Sequence, residues 1–284
     1  MFISGISAAR KALTKLRPNI VFSKGGFVGL PVVIAARSLG IPTIIHESDI
    51  SPGLANRLSI PFATKVCVSF PETLTRVPKS KGILTGTPIR ENMLMGDPSR
   101  GRALCGSFPP LRPMLLILGG SSGSLSLNKS VFAALVQLRQ EYDIAHIVGN
   151  GNLSPTPSPK EPAGAYAQFE YLKEDLPDIF AAADIAVSRA GANTLQELLA
   201  ARKPSLLVPL VQSSRGDQLQ NATSFTKRGL ALMLPEEELT PTTLVSHIRR
   251  LYLKRKEILL KMAGYKHPNG SAEVIKVILG INNP

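Results

Sequence analysis

The chain has 284 residues, 44% of them apolar, enough for one large domain or two of ordinary size with real cores. No apolar run approaches the roughly 20 residues of a membrane-spanning helix, residues 1–15 read as an amphipathic helix rather than a secretory signal, and Cys67 and Cys105 lack metal-ligand spacing and read as buried thiols in a reducing cytoplasm. The formal net charge of +13 suits phosphate-rich substrates or an anionic membrane surface better than nucleic acid, because aromatic residues are only 5% of the chain and no nucleic-acid-binding motif is present.

The first predicted element is a helix. Phe2, Ile3, Ile6, Ala9, Leu13 and Leu16 recur at three- and four-residue steps, and Arg10, Lys11, Lys15 and Arg17 flank them. Such a stripe suits either an interfacial membrane helix or the core-facing side of an ordinary one. Short apolar runs then alternate with helical patterns. Strands are predicted at 20–23, 43–46, 65–69, 114–118, 144–148, 167–171, 185–188, 205–209 and 231–234. Helices are predicted at 31–39, 125–141, 176–183, 194–201, 218–228 and 240–263. Continuous apolar strands alternating with helices argue for doubly wound α/β sheets. Proline and glycine crowd residues 76–113, which read as the boundary between two sheets, with a hinge at 86–90. Only three strands precede it, so the first sheet is expected to be incomplete. Residues 149–164 read as a loop inside the second domain.

Three glycine-containing turns fall at predicted strand-to-helix junctions, where open α/β folds place ligands. In Lys24-Gly25-Gly26-Phe27-Val28-Gly29, glycines allow close backbone approach, as either an anion loop or a purely structural turn. In Gly119-Gly120-Ser121-Ser122-Gly123-Ser124, an apolar strand turns into a helix carrying Asn128, a context for phosphate. The spacing is neither that of a P-loop nor that of a dinucleotide fingerprint. In Ser188-Arg189-Ala190-Gly191-Ala192-Asn193-Thr194, a strand turns sharply into a helix and Glu197 follows three residues later. Backbone amides there suit a diphosphate and the carboxylate suits ribose hydroxyls. Thr194 and Glu197 equally match a capping box.

Six stretches carry a family likeness: residues 24–31 (KGGFVGLP), 46–56 (HESDISPGLAN), 86–90 (GTPIR), 119–128 (GGSSGSLSLN), 188–197 (SRAGANTLQE) and 215–222 (RGDQLQNA). In this order they resemble the MurG family, the lipid-linked N-acetylglucosaminyltransferases of peptidoglycan synthesis. The likeness runs from about Leu16 to the C-terminal helix. It implies the GT-B fold, two Rossmann-like lobes with a cleft between them. Residues 1–88 would be the remainder of an N-terminal acceptor and membrane lobe, 89–264 the UDP-sugar lobe, and 265–284 a C-terminal helix packing back toward the first lobe. It further implies transfer of N-acetylglucosamine from UDP-N-acetylglucosamine to the muramoylpentapeptide on undecaprenyl diphosphate. That reaction needs no cofactor or metal and takes place at the cytoplasmic face of the cell membrane, by a peripheral enzyme.

Residue by residue, the resemblance assigns Arg90 and Ser121 to the donor diphosphate and Asn128 to the cleft. It assigns the backbone of Leu172 to the uracil. Ala192, Asn193 and Thr194 form the phosphate-facing helix start, with Thr194 as its cap. Glu197 is assigned to the ribose, and Asp217 and Gln218 to the sugar hydroxyls. Gly25, Gly26, Asp49 and Asn56 fall on the acceptor side. Asp49 stands where many members have an amide. The family's GGTGGH-type loop, whose histidine is a leading candidate for general base, has no counterpart in this sequence, and His46 matches a different motif. The expectations are therefore an N-terminally truncated transferase that turns over poorly or, alternatively, a non-catalytic UDP-sugar-binding fragment. A different two-lobed enzyme, such as a UDP-sugar epimerase or a lipid glycosyltransferase, is a more distant reading, which the Gly119 loop and Asn128 disfavour.

Overall fold

The computed structural model describes residues 2–107, 109–120, 123–155, 163–210, 216–265 and 268–282. The chain forms two compact units, Met1–Ile89 with His267–Pro284, and Arg90–Lys266.

Unit 1 runs α1 (Phe2–Leu16), β1 (Val21–Ser23), α2 (Gly29–Ser38), β2 (Thr43–Glu47), α3 (Leu54–Ser59), β3 (Lys65–Val68) and β4 (Gly82–Leu84). Its strands form a parallel sheet in the order β1-β2-β3-β4. Four strands thus replace the three expected. β4 has three residues, lies among lysines and prolines, and shows no local periodicity; its pairing with Val66–Val68 makes it a strand. Alternation along β2 and β3 feeds both faces. Ile45, Val66 and Val68 pack with Val33, Ala63 and Val77, while Ile44 and Cys67 turn to the other side.

α1 divides its apolar stripe. Leu13 is buried with Ala35 and Ala36, and Ile6 and Ala9 pack on the same cluster. Ile3 and Leu16, at 82% and 74% exposed, stay in solvent. The side chain of Phe2 lies outside those described. The middle of the stripe is therefore core-facing, and Ile3 and Leu16 near the helix ends offer apolar surface.

Unit 2 runs α4 (Pro98–Leu104), β5 (Met114–Leu118), α5 (Leu125–Glu141), β6 (Asp143–Ile147), β7 (Tyr166–Phe169), α6 (Leu176–Ala182), β8 (Ile185–Ser188), α7 (Ala192–Ala200), β9 (Ser205–Leu207), α8 (Asp217–Lys227), β10 (Leu232–Met233) and α9 (Pro241–Gly264). The boundary stretch thus contains both a strand and a helix. Asp97 caps α4, its carboxylate accepting from the amides of Ser99 and Arg100, with Pro98 opening the helix. Thr240 and Thr243 form a reciprocal capping box at α9, again followed by proline.

All six strands are parallel, in the order β10-β9-β8-β5-β6-β7. β5 and β8 lie at the centre, every residue buried, which explains why β5 is wholly apolar and β8 is apolar up to Ser188. The last helix, α10 (Gly270–Asn282), belongs to unit 1, where Val274 packs against Ile44 and Cys67. Burial pushes the Cys67 thiol up to about 11 and that of Cys105 up to about 12, so neither is a thiolate near neutrality.

The division of α1 sets a contrast. Leu13→Ala should destabilise by about 2–4 kcal/mol, as for a buried leucine truncated. Leu16→Ala should stay within about 0.5 kcal/mol of wild type. Urea unfolding of both variants checks this; equal losses would mean the two leucines share one environment.

Candidate functional site

In unit 2 the sheet reverses direction of winding at β5. From β5 the chain proceeds to β6 and β7 on one side, then returns to β8 on the other, so the exits of β5 and β8 lie side by side and diverge. Such a switch point leaves a crevice at the carboxyl ends of the strands. Two of the three glycine turns emerge there.

The turn after β5 is closely packed. A Cβ on Gly123, which has φ +76°, would lie 2.2 Å from the Val148 carbonyl oxygen, so only glycine fits. Ser124 caps α5, its hydroxyl accepting from the Leu127 amide. Ser121 lies outside the described residues. Asn128 is buried and does not line an open crevice. Its Nδ2 donates to the Val148 carbonyl at 2.9 Å, and its Oδ1 accepts from His146 Nε2 at 3.1 Å. The residue points inward because its place on α5 faces the sheet, and it supports the turn from below.

The turn after β8 ends in α7, whose N-cap is Gly191, with no side chain capping it. The helix begins at Ala192, two residues earlier than expected. Thr194 is thus the third helical residue and not the cap, and the capping-box reading fails. Asn193 is exposed, while Thr194 and Glu197 are half-buried. The amides of the first turn and the positive end of the helix therefore have no side-chain partner in the cap, an arrangement suited to an anion. Burial pushes the Glu197 carboxyl up, and the nearby Arg90 charge opposes that shift. Arg90, exposed at the start of unit 2, is thereby placed within electrostatic reach of α7.

The remaining donor-side positions lie on other elements. Leu172 is half-buried just beyond β7. Asp217 opens α8 behind the left-handed Gly216, and Gln218 Oε1 accepts from the Leu210 amide at 3.0 Å. Residues 211–215 lie outside the description.

Unit 1 collects a second polar cluster at the carboxyl ends of β1 and β2. Gly25 and Gly26 have φ of +89° and +85°. A Cβ on Gly25 would lie 2.9 Å from both terminal atoms of the Asn56 amide. Asn56 Nδ2 donates to the His46 carbonyl and to Glu47 Oε2, while its Oδ1 is buried without a hydrogen-bond partner. Glu47 organises the following loop, accepting from the amides of Asp49 and Gly53 at 2.9 Å each. Asp49 itself is half-buried.

His46 is fully buried. Its Nε2 lies 2.8 Å from the Gly86 carbonyl, which can only accept, so Nε2 carries the proton. Nδ1 then accepts from Lys24 Nζ at 3.2 Å. Both ring nitrogens are engaged, which leaves His46 no free position for taking a substrate proton. Burial, followed by the Lys24 charge, lowers its pKa to about 4. Burial alone lowers His146 to about 4. Lys24 Nζ also reaches Ser48 Oγ at 3.2 Å.

The sequence reading missed Arg189, Glu236, Glu47 and His146. Arg189 sits within a noted motif, and an arginine directly after a wholly buried strand was a signal that it would need partners. Among the described residues, no group of three His, Cys, Asp or Glu side chains is placed to hold a metal ion, and no helix is long and apolar enough to cross a membrane.

Comparison with known proteins gives this architecture its class. The family model for the glycosyltransferase family 28 C-terminal domain matches residues 114–278, and that for the N-terminal domain matches residues 1–68. The protein named UDP-N-acetylglucosamine--N-acetylmuramyl-(pentapeptide) pyrophosphoryl-undecaprenol N-acetylglucosamine transferase from Clostridium tetani is 48% identical over 277 residues, 97% of this chain and 76% of that protein. The protein of the same name from Clostridium novyi is 46% identical, with 77% of its length covered. The crystal structure of Acinetobacter baumannii MurG matches with TM-score 0.78 and 26% identity, over 98% of this chain and 78% of that one. The UDP-GlcNAc 2-epimerase of Neisseria meningitidis, at 14% identity and TM-score 0.65 over 99% of this chain and 81% of that one, shares the fold. The chain belongs to the MurG family within glycosyltransferase family 28, and its fold is of the GT-B type.

The two histidines set a pH dependence. Between about pH 6.5, the ordinary value, and pH 4, the unfolded chain binds protons that the folded chain refuses. Stability therefore rises with pH across this window and is lost on acidification, with a slope approaching about 1.4 kcal/mol per pH unit for each histidine. Urea midpoints between pH 6.5 and 5 should show the slope, and His46→Gln should remove about one proton's share. An unchanged slope in that variant would exclude His46 as a source.

Proposed function

We propose that this chain transfers N-acetylglucosamine from UDP-N-acetylglucosamine to undecaprenyl-diphospho-muramoylpentapeptide, the last sugar addition to a lipid-linked peptidoglycan precursor. The observation that carries the reading is the uncapped start of α7 beside β5, with Glu197 further along the same helix and Arg90 in electrostatic reach. The first-turn amides and helix dipole suit the diphosphate. Arg90 remains charged whatever phosphate it meets. Glu197 suits the ribose hydroxyls, and Leu172, Asp217 and Gln218 suit the base and the sugar. In unit 1, Lys24 and the turn at Gly25 and Gly26 suit an anionic acceptor, with Asp49 and Asn56 beside them. The reaction is displacement at the anomeric carbon: the acceptor hydroxyl oxygen bonds to carbon, the bond to UDP breaks, and the hydroxyl proton goes to a base. His46 is not that base, since its nitrogens are both engaged.

Calorimetry should show UDP binding, weakened in Glu197→Ala by on the order of 1–3 kcal/mol, the loss of a charged hydrogen bond. A labelled-donor assay with the lipid acceptor tests transfer. A folded chain that ignores UDP would defeat the donor-site reading, whereas UDP binding without transfer would confine it to nucleotide-sugar binding.

The reading places the enzyme at the cytoplasmic face of the membrane through unit 1. With Ile6, Ala9 and Leu13 turned inward, α1 would attach chiefly by charge, through the exposed Arg10, Lys11, Lys15 and Arg17. Each such residue contributes roughly 1 kcal/mol near an anionic surface, screened over a Debye length. Sedimentation with anionic vesicles should show binding that falls with salt and drops in Lys11→Glu/Lys15→Glu. Equal binding to neutral vesicles would instead mean apolar insertion.

A further inference from the structure

Arg189 leaves the end of β8 and is 6% exposed. Its Nε and Nη2 donate to Ser124 Oγ, the α5 cap, at 2.9 and 2.7 Å. Nη1 donates to the Val208 carbonyl just beyond β9 at 3.0 Å. Nη2 also reaches Ser126 Oγ at 2.7 Å and Glu236 Oε1 at 2.5 Å. Ser126 Oγ donates to the same carboxylate oxygen at 2.7 Å. One guanidinium thus ties together the exits of β5, β8 and β9.

A guanidinium does not shed its charge, so burying one requires a paired anion. Glu236 provides it, from the short 3-10 turn Glu236–Glu238 after β10, at 21% side-chain exposure. Without that carboxylate, the buried cation would face the positive ends of α5 and α7 uncompensated. The side chain would then turn outward toward solvent, which would release Ser124 and loosen the α5 cap.

We propose that Glu236 is a positioning residue for the nucleotide site: by neutralising Arg189 it holds that arginine as a brace for the start of α5. This deepens the donor-site reading and rests on it. Glu236 touches no substrate in this scheme and acts through Arg189 and Ser126.

The test uses the full chain with Glu236→Gln, which keeps the volume and removes the charge. Hydrogen exchange without ligand should show faster exchange at the amides of Leu127 and Asn128, and calorimetry should show UDP binding about tenfold weaker. Glu236→Asp should recover part of both. If Glu236→Gln fails to fold, Ser126→Ala removes one exposed arm of the brace and should weaken UDP binding two- to threefold, with exchange raised at the same amides. Unchanged exchange in a folded variant overturns the brace. Raised exchange with unchanged UDP affinity overturns the positioning role. Tighter UDP binding also overturns it, because Arg189 would then act as a ligand once freed. Absence of UDP binding in wild type strikes the donor-site reading instead, while exchange, measured without ligand, still decides the brace.

Discussion

Parallel strands all leave a sheet at the same edge, and at the β5–β8 boundary of unit 2 they leave it in opposite directions. The rest of the site follows from that divergence. Two connecting turns must descend side by side into helices, so two positive helix ends are brought to one place. Space beneath them is short. Gly123 rests against the Val148 carbonyl without room for a Cβ, and the polar groups cut off from water there need partners within the fold.

The two units solve that need with different chemistry. Unit 1 uses a carboxylate: Glu47 gathers the amides of Asp49 and Gly53 and the amide of Asn56, which shapes the loop after β2. Unit 2 uses a cation, Arg189, and a neutral chain from Val148 through Asn128 and His146 to Tyr166. In both, residues that a motif search reads as ligands are in part the support on which ligand-facing backbone is laid. Asn128 and Asn56 are the clearest cases, each buried with its Nδ2 holding a backbone carbonyl.

Much of this was legible because burial on both faces leaves a local mark. The residues of β5 are apolar without a break and those of β8 are apolar up to its last residue, Ser188, and their limits could be read directly. β4 could not, because Gly82-Ile83-Leu84 becomes a strand only through Val66–Val68, many residues earlier. The start of α7 was misplaced for a related reason. Thr194 and Glu197 have the spacing of a capping box, but the chain enters the helix at Gly191, and spacing alone does not say which residue is the entry. The stripe on α1 was seen, yet its partner α2 lies beyond the window that periodicity covers, so which part was inward remained open. Arg189 and Glu236 are 47 residues apart, and nothing local to either announces the pair.

The placement of α10 has a consequence for the order of events during synthesis. Val274, Val277, Ile278 and Ile281 complete the side of the unit 1 sheet that carries Ile44 and Cys67, and Ser271 bonds the Ile89 carbonyl 182 positions back. Unit 2 is encoded entirely between those partners and draws its core from its own residues. On a ribosome releasing the chain from its N-terminus, the second sheet is thus free to close first, while the first sheet waits with one face bare until residues 270–282 emerge. Contacts of such sequence separation form slowly, and during that interval the exposed Ile44 face is the surface on which chaperone capture or misassociation would act.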